Sequence, residues 1–398
     1  MYRLTDYGSM LRDRRRIDAY RRALASLITP TSTVLDLGTG LGTFAILAAR
    51  LGAARVYAVD AADVITVAAE NASASGVADR ITFLQTSAAG LALPEPVDLI
   101  VSDLSGALPL FEEHLPSLMR VRDAFLRRGG ALIPMRDRLL CAPISSTALY
   151  ETITAPWRSV PEIDFAPSLT MALHAPHAMN VRPEQLAAEP RCWAELDYAT
   201  IASANVSASV EWEVDAEVHG IALWFESTLQ DGVTSASGPW SEGSIHATMV
   251  LPLFAPLRVH GALRLTIEAT LANGRYVITW QANHGARQST FLSEPRSGAS
   301  LTDRSASTPA AASGETFRVA EHALCRKVGH DALLFDTVAG TYHVLNETGA
   351  RVWELLVRGE GLDAIAAAVA ADYEVDAQRA AEDVAAIVAQ LREANLVV

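Results

Sequence analysis

Three glycines and two aspartates carry the first chemistry legible in this chain. In the run VLDLGTGLGTF (34–44), Gly38, Gly40 and Gly42 follow a short apolar stretch and precede a segment of helical periodicity. Glycines at such a turn let the backbone come close to a ligand, and the helix N-terminus behind them favours negative charge. The spacing is GxGxG rather than GxGxxG, and Asp36 stands two residues before the first glycine. Asp60 ends the next apolar run, where a carboxylate can hydrogen-bond a ribose diol. The turn alone fits a degenerate dinucleotide site or a turn that binds nothing, but no hydride-transfer residues follow it.

These residues need a scaffold, and the flanking pattern supplies one. VLDLG (34–38), VYAVD (56–60), ITFLQ (81–85) and DLIVSD (98–103) read as strands, with helical patterns at 42–52 and 62–74 between them. Such alternation predicts βαβ units and a Rossmann-like parallel sheet within residues 1–143. Residues 190–295 instead alternate apolar and polar positions, as in SASVEWEVDAEV and LRLTIEATL, which predicts an antiparallel sheet or barrel over 144–295. Residues 296–315 are rich in Ser, Ala and Thr and read as a flexible linker. Beyond it, 316–398 holds three strand-like runs (ALCRKVG, ALLFD, TYHVL) and helical patterns at 347–357, 361–372 and 377–394. The expected fold class is α/β plus β: a Rossmann-like domain, an antiparallel β-barrel and a small C-terminal winged-helix-like domain. No internal repeat is visible.

With Asp36 and Asp60 around it, the glycine turn resembles motifs I and II of class I S-adenosylmethionine methyltransferases. Over roughly residues 7–295 the resemblance narrows to the protein arginine methyltransferase family. MLRDRRRIDAY (10–20) is similar to the family's N-terminal helix. That similarity implies Met10 beside the reacting sulfonium and Arg16 on the cofactor carboxylate, which a guanidinium fork suits. SDLSGALPLFEE (102–113) resembles the family's acidic loop, with Asp103 and Glu112 in the two acidic positions. Two such carboxylates can clamp a substrate guanidinium, which is always charged, and leave one nitrogen able to attack a methyl group. VRDAFLRRGGALIPMRDRLLCAPI (121–144) resembles the connector into the barrel, and residues from Trp157 to about 182 resemble the family's dimerisation arm.

Three departures from the family pattern stand out, two bearing on the acceptor and one on the adenine edge of the cofactor. The first acidic position holds Asp103 where the family has Glu. Ala89 stands where the family's adenine-contacting Glu would be, which leaves the backbone or Ser87 to read that edge. The family's Thr-His-Trp loop, whose His helps hold the acidic loop, is matched locally by SGPW (237–240). That match keeps Trp240 as a substrate-loop residue but puts Pro239 in the His position, and His246 does not fall on the motif.

Residues 316–398 resemble the PqqD family, whose fold is the recognition element of enzymes that modify ribosomally made peptides. The residues that carry this are YHVLNETGARVWELL (342–356), GEGLDAIAAAVAADYEVD (359–376) and AEDVAAIVAQLREANLV (381–397). Thr348 or Asn346 can cap the first helix. Val384, Ile387, Val388 and Leu391 recur at helical spacing on the last. The resemblance implies strand addition of a leader peptide, with a groove between Thr341, Tyr342, His343, Val344 and Leu345 on one side and those last-helix residues on the other.

Composition sets the outer limits. The 398 residues carry 46 acidic and 32 basic side chains, a net charge of −14, which disfavours nucleic acid as a partner. Cys141, Cys192 and Cys325 form no CxxC pair, so neither a disulfide framework nor a thiolate metal site is expected. No signal-peptide or membrane-spanning pattern is read, and the expected location is the cytoplasm. Together these readings describe an S-adenosylmethionine-dependent methyltransferase without metal. It is expected to act as a homodimer on a leader-bearing precursor peptide, with arginine N-methylation the first expectation. The alternatives are methylation of another peptide residue or of a folded protein, and a non-catalytic peptide chaperone.

Overall fold

The computed structural model describes residues 4–293 and 317–398, except Glu242, Asn273, Glu321, Gly329, His330, Thr337, Gly340 and Glu374. The linker expected at 296–315 lies outside the described residues. The chain divides into two compact units, Met1–Ser293 and Glu294–Val398.

The first unit opens with helices α1 (Leu4–Met10) and α2 (Arg14–Leu27). Asp13 is the N-cap of α2, its Oδ1 accepting from the Arg16 amide at 3.0 Å. The strands β1 (Thr33–Leu37), β2 (Arg55–Asp60), β3 (Ile81–Gln85), β4 (Val97–Ser102) and β5 (Leu126–Ile133) form a parallel sheet in the order β3-β2-β1-β4-β5. Helices α3 (Thr43–Arg50), α4 (Ile65–Ala74) and α5 (His114–Phe125) make the crossovers.

Alternation along the strands decides which face each side chain takes. Val34, Val56, Ala58, Leu99 and Val101 pack with Ala19, Leu24, Phe44 and Ala48 of α2 and α3. Their neighbours Leu35, Tyr57, Val59 and Ile100 join Leu115 and Leu118 of α5 in the core on the other face. Burial on both faces explains why these strands read as continuous apolar runs, and each fully buried Val, Leu or Ile among them contributes about 1.5–3 kcal/mol. The strand order reverses between β1 and β4, so the carboxyl ends of these two strands open a crevice.

β6 (Arg136–Ile144) leads into the antiparallel sheet, with α6 (Thr147–Thr154), α7 (Ala166–His174) and β7 (His177–Met179) following. β8 (Arg191–Asp197), β9 (Val206–Gln230), β10 (Val233–Ala236), β11 (Thr248–Ala272), β12 (Arg275–Ala282) and β13 (Gln288–Ser289) complete it. The order is β13-β12-β11-β9-β6-β8, with β10 on β9 and β7 on β11. β9 and β11 each run for 25 residues, and their pairing shifts register between Pro252 and Leu257. Gly220 sits beside this shift, where an added Cβ would come within 2.8 Å of the Leu251 carbonyl oxygen. The bend lets one pair of strands serve both sides of a barrel-like core built on Trp212, Leu223, Leu263 and Trp280.

The second unit is a meander of β14 (Ala323–Val328), β15 (Asp331–Asp336) and β16 (Tyr342–Leu345), then α8 (Glu347–Val357), α9 (Leu362–Asp372) and α10 (Ala377–Glu393). Of the two capping candidates, Asn346 is the N-cap of α8, its side chain accepting from the Gly349 amide at 2.9 Å. Trp353, Leu356, Ile365, Val384, Val388 and Leu391 form the core. Among the described residues no helix is long and apolar enough to cross a membrane, no group of side chains could hold a metal ion, and the three cysteines are free.

Candidate functional site

A cavity of about 240 Å³ opens at the carboxyl ends of β1, β2 and β4. The glycine turn forms its floor. Gly38, Gly40 and Gly42 all have positive φ (77°, 52° and 82°), which glycine adopts without strain. A Cβ on Gly40 would come within 2.9 Å of the Tyr7 ring, and one on Gly38 would overlap Leu104. The turn is therefore closed in from α1 and from the segment after β4. Gly38 and Gly40 line the cavity, whereas Gly42 stands behind it as the N-cap of α3.

The two aspartates of the turn divide their work. Asp36 is buried and is not part of the lining of this cavity; its Oδ2 accepts from the Thr39 hydroxyl at 2.6 Å and the Ala45 amide at 2.9 Å. Burial pushes its carboxyl up to about 6. Asp60 lines the cavity and accepts from the Gly40 amide at 2.9 Å and the Ala62 amide at 2.9 Å, which fixes its orientation at the rim.

Met10, Arg16, Asp103 and Glu112 also line the cavity. Arg16 is buried, its Nη2 donating to the Met10 carbonyl at 3.0 Å and its Nη1 paired with Asp103. Its Nε is buried with no hydrogen-bond partner. Asp103 Oδ1 accepts from the Tyr20 hydroxyl at 3.1 Å, and the Tyr20 ring stacks on Phe44 at 4.4 Å. Glu112 is exposed and has φ +42°, a left-handed conformation that costs a glutamate about 1–3 kcal/mol. No hydrogen bond or ion pair holds its carboxylate among the described residues.

Comparisons with known proteins bear on this arrangement. Residues 21–126 match the family described as ribosomal protein L11 methyltransferase (PrmA), and residues 331–397 match coenzyme PQQ synthesis protein D (PqqD). A probable protein arginine N-methyltransferase 6 from Arabidopsis thaliana is 32% identical over 251 residues, covering 60% of this chain and 58% of that protein. Protein arginine N-methyltransferase 6 from Xenopus tropicalis is 28% identical over 67% of this chain and 83% of that one. The Trypanosoma brucei PRMT1 enzyme–prozyme heterotetrameric complex with AdoHcy matches with a TM-score of 0.67 at 25% identity, over 71% of this chain and 96% of that chain. The chain joins an arginine-methyltransferase-like region to a PqqD domain. It spans 58% of the length of the first of these curated relatives.

The methyltransferase-like region also shows what sequence reading missed. His246 lines the cavity, and its Nδ1 lies 2.7 Å from the Gly106 carbonyl oxygen, inside the acidic loop. Because that partner is a carbonyl, Nδ1 carries the proton. His246 therefore ties down the loop, the task expected of the missing His at Pro239. Its neighbour Ile245 donates its amide to Asp13 Oδ2 at 3.2 Å, so Asp13 caps α2 and anchors this segment together. Trp240 is displaced from the expected role: it is 56% exposed, lies outside the cavity lining and rests 6.0 Å from Trp224. His246 lies six residues beyond Trp240. Ser87 is exposed and outside the lining as well.

Burial pulls the His246 ring down to about 4, with the Arg16 charge acting in the same direction. His114 is likewise lowered to about 4 by burial, while its Nδ1 lies 3.1 Å from the Pro109 carbonyl oxygen in the same loop. An unfolded His titrates near 6.5. The unfolded state thus binds more protons between about pH 4 and 6.5, and these rings cost stability as pH falls through that window. Asp36 and Asp137, both raised to about 6 by burial, act in the opposite sense over nearly the same window. The wild-type profile therefore mixes both effects, and His246→Asn, which keeps a donor but does not titrate, isolates one. The variant should gain on the wild type by on the order of 1–3 kcal/mol between pH 7.5 and pH 5 in urea melts. An equal offset at both pH values would remove the titration from the account.

In the PqqD domain, β16 pairs only with β15 among the described residues and so presents an edge. Thr341 and Val344 are exposed, while Tyr342, His343 and Leu345 are half-buried, with Tyr342 stacked on Phe335. The last-helix residues correct the expected groove. Val384, Val388 and Leu391 are 1–3% exposed and belong to the core, so a peptide cannot touch them without repacking. Of that set, Ile387 alone is half-buried. An apolar stripe at i, i+4, i+7 marks the face a helix buries, and that was its meaning here.

Proposed function

We propose that the methyltransferase-like region binds S-adenosylmethionine and methylates a nitrogen of an arginine side chain in a ribosomally made precursor peptide, whose leader the PqqD domain holds. The observation that carries this reading is the convergence of Arg16, Gly38, Gly40 and Asp60 with Asp103 and Glu112 on one cavity. The cofactor fits the residues present: the Gly38 and Gly40 turn leaves a cradle that a Cβ would fill, and the buried Arg16 Nε has a donor to give. Asp60 at the rim suits a ribose diol, and Arg16 suits a carboxylate.

When bound, the cofactor supplies a methyl group on a positively charged sulfur, open to in-line attack. The protein's part is chiefly alignment. Glu112 faces the cavity with a free carboxylate and is placed to orient the acceptor nitrogen and receive its proton. His246 and His114 each hold a backbone carbonyl, Gly106 and Pro109, within the loop between Asp103 and Glu112. Tyr20 holds Asp103, and Met10 and Phe44 add apolar surface to the cavity wall.

Leader binding is supported by the edge of β16, where an extended peptide can add as a strand beside the exposed Val344. A homodimer through the segment around α6 and α7 belongs to the same reading, supported by the exposed Val160 and Ile163 between these helices. A cytoplasmic location suits a chain whose cysteines are free. A second reading, transfer to a different side chain of the peptide, draws on one observation: Asp103 is already engaged by Arg16 and Tyr20.

The test is to search the neighbouring genes for a short precursor, to co-express its product with this protein and to fragment that peptide by mass spectrometry. One or two methyl groups on an arginine, absent without this protein, is the expected result. Methyl groups on another residue would transfer the case to the second reading. An unmodified peptide, with cofactor bound, would overturn the peptide-substrate reading in favour of a folded-protein substrate or a peptide chaperone.

A further inference from the structure

The three-stranded sheet of the PqqD domain has two edges. β16 is one; β14 is the other, pairing only with β15 among the described residues. Such an edge offers amide and carbonyl groups to any strand that comes alongside. Next to β14 lies a cavity of about 620 Å³, walled by β14, α8 and residues 317–320. No residue of β16 or α10 lines it, so it is separate from the leader edge.

Small side chains leave this space. Ala323, Cys325 and Lys327 share one face of β14, and Lys327 on that face pairs with Glu354 of α8. Ala323, Ala332 and Ala350 each put only a methyl group into the gap between sheet and helix, while Phe317 and Trp353 supply aromatic walls. The 317–320 wall is tied to the chain end, Arg318 and Val398 exchanging amide-to-carbonyl bonds of 2.8 Å. The volume and apolar lining suit a ligand side chain.

Charge around the cavity has one sign. Arg318, Lys327 and Arg358 line it, three of the seven basic residues between 317 and 398, whereas Glu354 alone does so among the described acidic residues. Glu354 is already paired with Lys327 and with Arg351, the latter at 3.3 Å. Arg318 and Arg358 are exposed, and among the described residues neither makes a side-chain hydrogen bond or ion pair. An apolar cavity alone would take any hydrophobic ligand, and two cations alone any anion. An extended peptide uses the edge, the cavity and the cations together: its backbone adds to β14, a large apolar side chain fills the cavity, and a carboxylate two residues on, on the same face, meets the arginines.

We propose that the β14 edge and its cavity form a second peptide-docking site, which takes an extended acidic segment of a partner protein while β16 holds the leader. β15 lies between the two edges, so one strand-length segment cannot occupy both, and both can be filled at once. Only the choice of a partner protein over the leader rests on the leader reading above.

The experiment uses the full chain and the peptide acetyl-Thr-Leu-Thr-Asp-Thr-amide as the probe, with alanine in place of leucine and asparagine in place of aspartate as controls. Binding is read by titration calorimetry and by protection of Cys325 from N-ethylmaleimide, mapped by mass spectrometry. Burial pushes the Cys325 thiol up to about 11, so its alkylation is slow and easily followed. Cys192 is exposed and serves as the internal control. The probe should slow alkylation of Cys325 and not of Cys192, and each control peptide should bind about tenfold more weakly. The double variant Arg318→Glu, Arg358→Glu should lose a similar factor for the probe and keep its affinity for the asparagine peptide, which shows that the variant is folded. Equal affinity for the three peptides overturns the site, as does an unprotected Cys325. Displacement of the probe by the precursor's leader would give the cavity to the leader and overturn the partner reading. A leader that leaves the protection of Cys325 unchanged supports it, and failure of that leader to bind at all would overturn the leader reading alone.

Discussion

Glu112→Gln should lower kcat for peptide methylation by about 10²–10⁴-fold, with S-adenosylhomocysteine affinity nearly intact. The substitution keeps shape and removes charge. Glu112 lines the cavity, is exposed and carries no ion pair among the described residues, so its carboxylate does nothing for the fold that glutamine would not do. Its backbone, by contrast, sits at φ +42°, a conformation the loop maintains at a cost. Gln has the same β-carbon and suffers the same strain, so the comparison isolates the carboxylate. The cofactor side is set by Gly38, Gly40, Asp60 and Arg16, none of which bonds Glu112. Single-turnover mass spectrometry gives the rate and calorimetry gives the affinity. A variant that turns over at the wild-type rate would remove Glu112 from the chemistry and leave the acidic loop a structural feature.

The contrast between Glu112 and His246 shows how far sequence carries this protein. The parallel strands were legible because a sheet buried on both faces demands uninterrupted apolar runs, and VLDLG and VYAVD have no other use. The helices of the PqqD domain were legible because caps and periodicity are local. Arg16, Asp60, Asp103 and Glu112 could be put forward as candidates because each lies in a short local motif. They fall on one cavity because β1, β2 and β4 end side by side, a consequence of strand order. His246 escaped because its partner is a backbone carbonyl 140 residues away, at Gly106, and a carbonyl has no sequence signature. Tyr20 sat inside a quoted motif, yet its role depends on where Asp103 lies in space. Trp240 misled for the converse reason: a motif residue survived by name while the chain placed it against Trp224 on the surface. In α10 the error was one of sign, since the periodicity that identified Val384, Val388 and Leu391 identified the face turned inward.

A chain ending at Ser293 should keep its rate at saturating peptide and lose its grip on the leader. The compact unit Met1–Ser293 contains the whole cavity, and its cores are built from its own strands and helices. Its kcat and its S-adenosylhomocysteine affinity should therefore be close to those of the full chain. The KM for a leader-bearing peptide should rise by about 10²–10³-fold, because fusion of a binding module turns capture of the core peptide into an intramolecular event at roughly millimolar effective concentration. A core peptide without its leader supplies the control: both chains should process it with equal kcat/KM. The isolated leader, added in trans, should inhibit the full chain and leave the shortened one untouched. Each of these follows from tethering alone, with no contribution of the PqqD domain to the chemical step. An unchanged KM would show that the leader is read within the methyltransferase-like region, whereas a fall in kcat with KM unchanged would mean that the PqqD domain acts on the reacting geometry rather than on delivery.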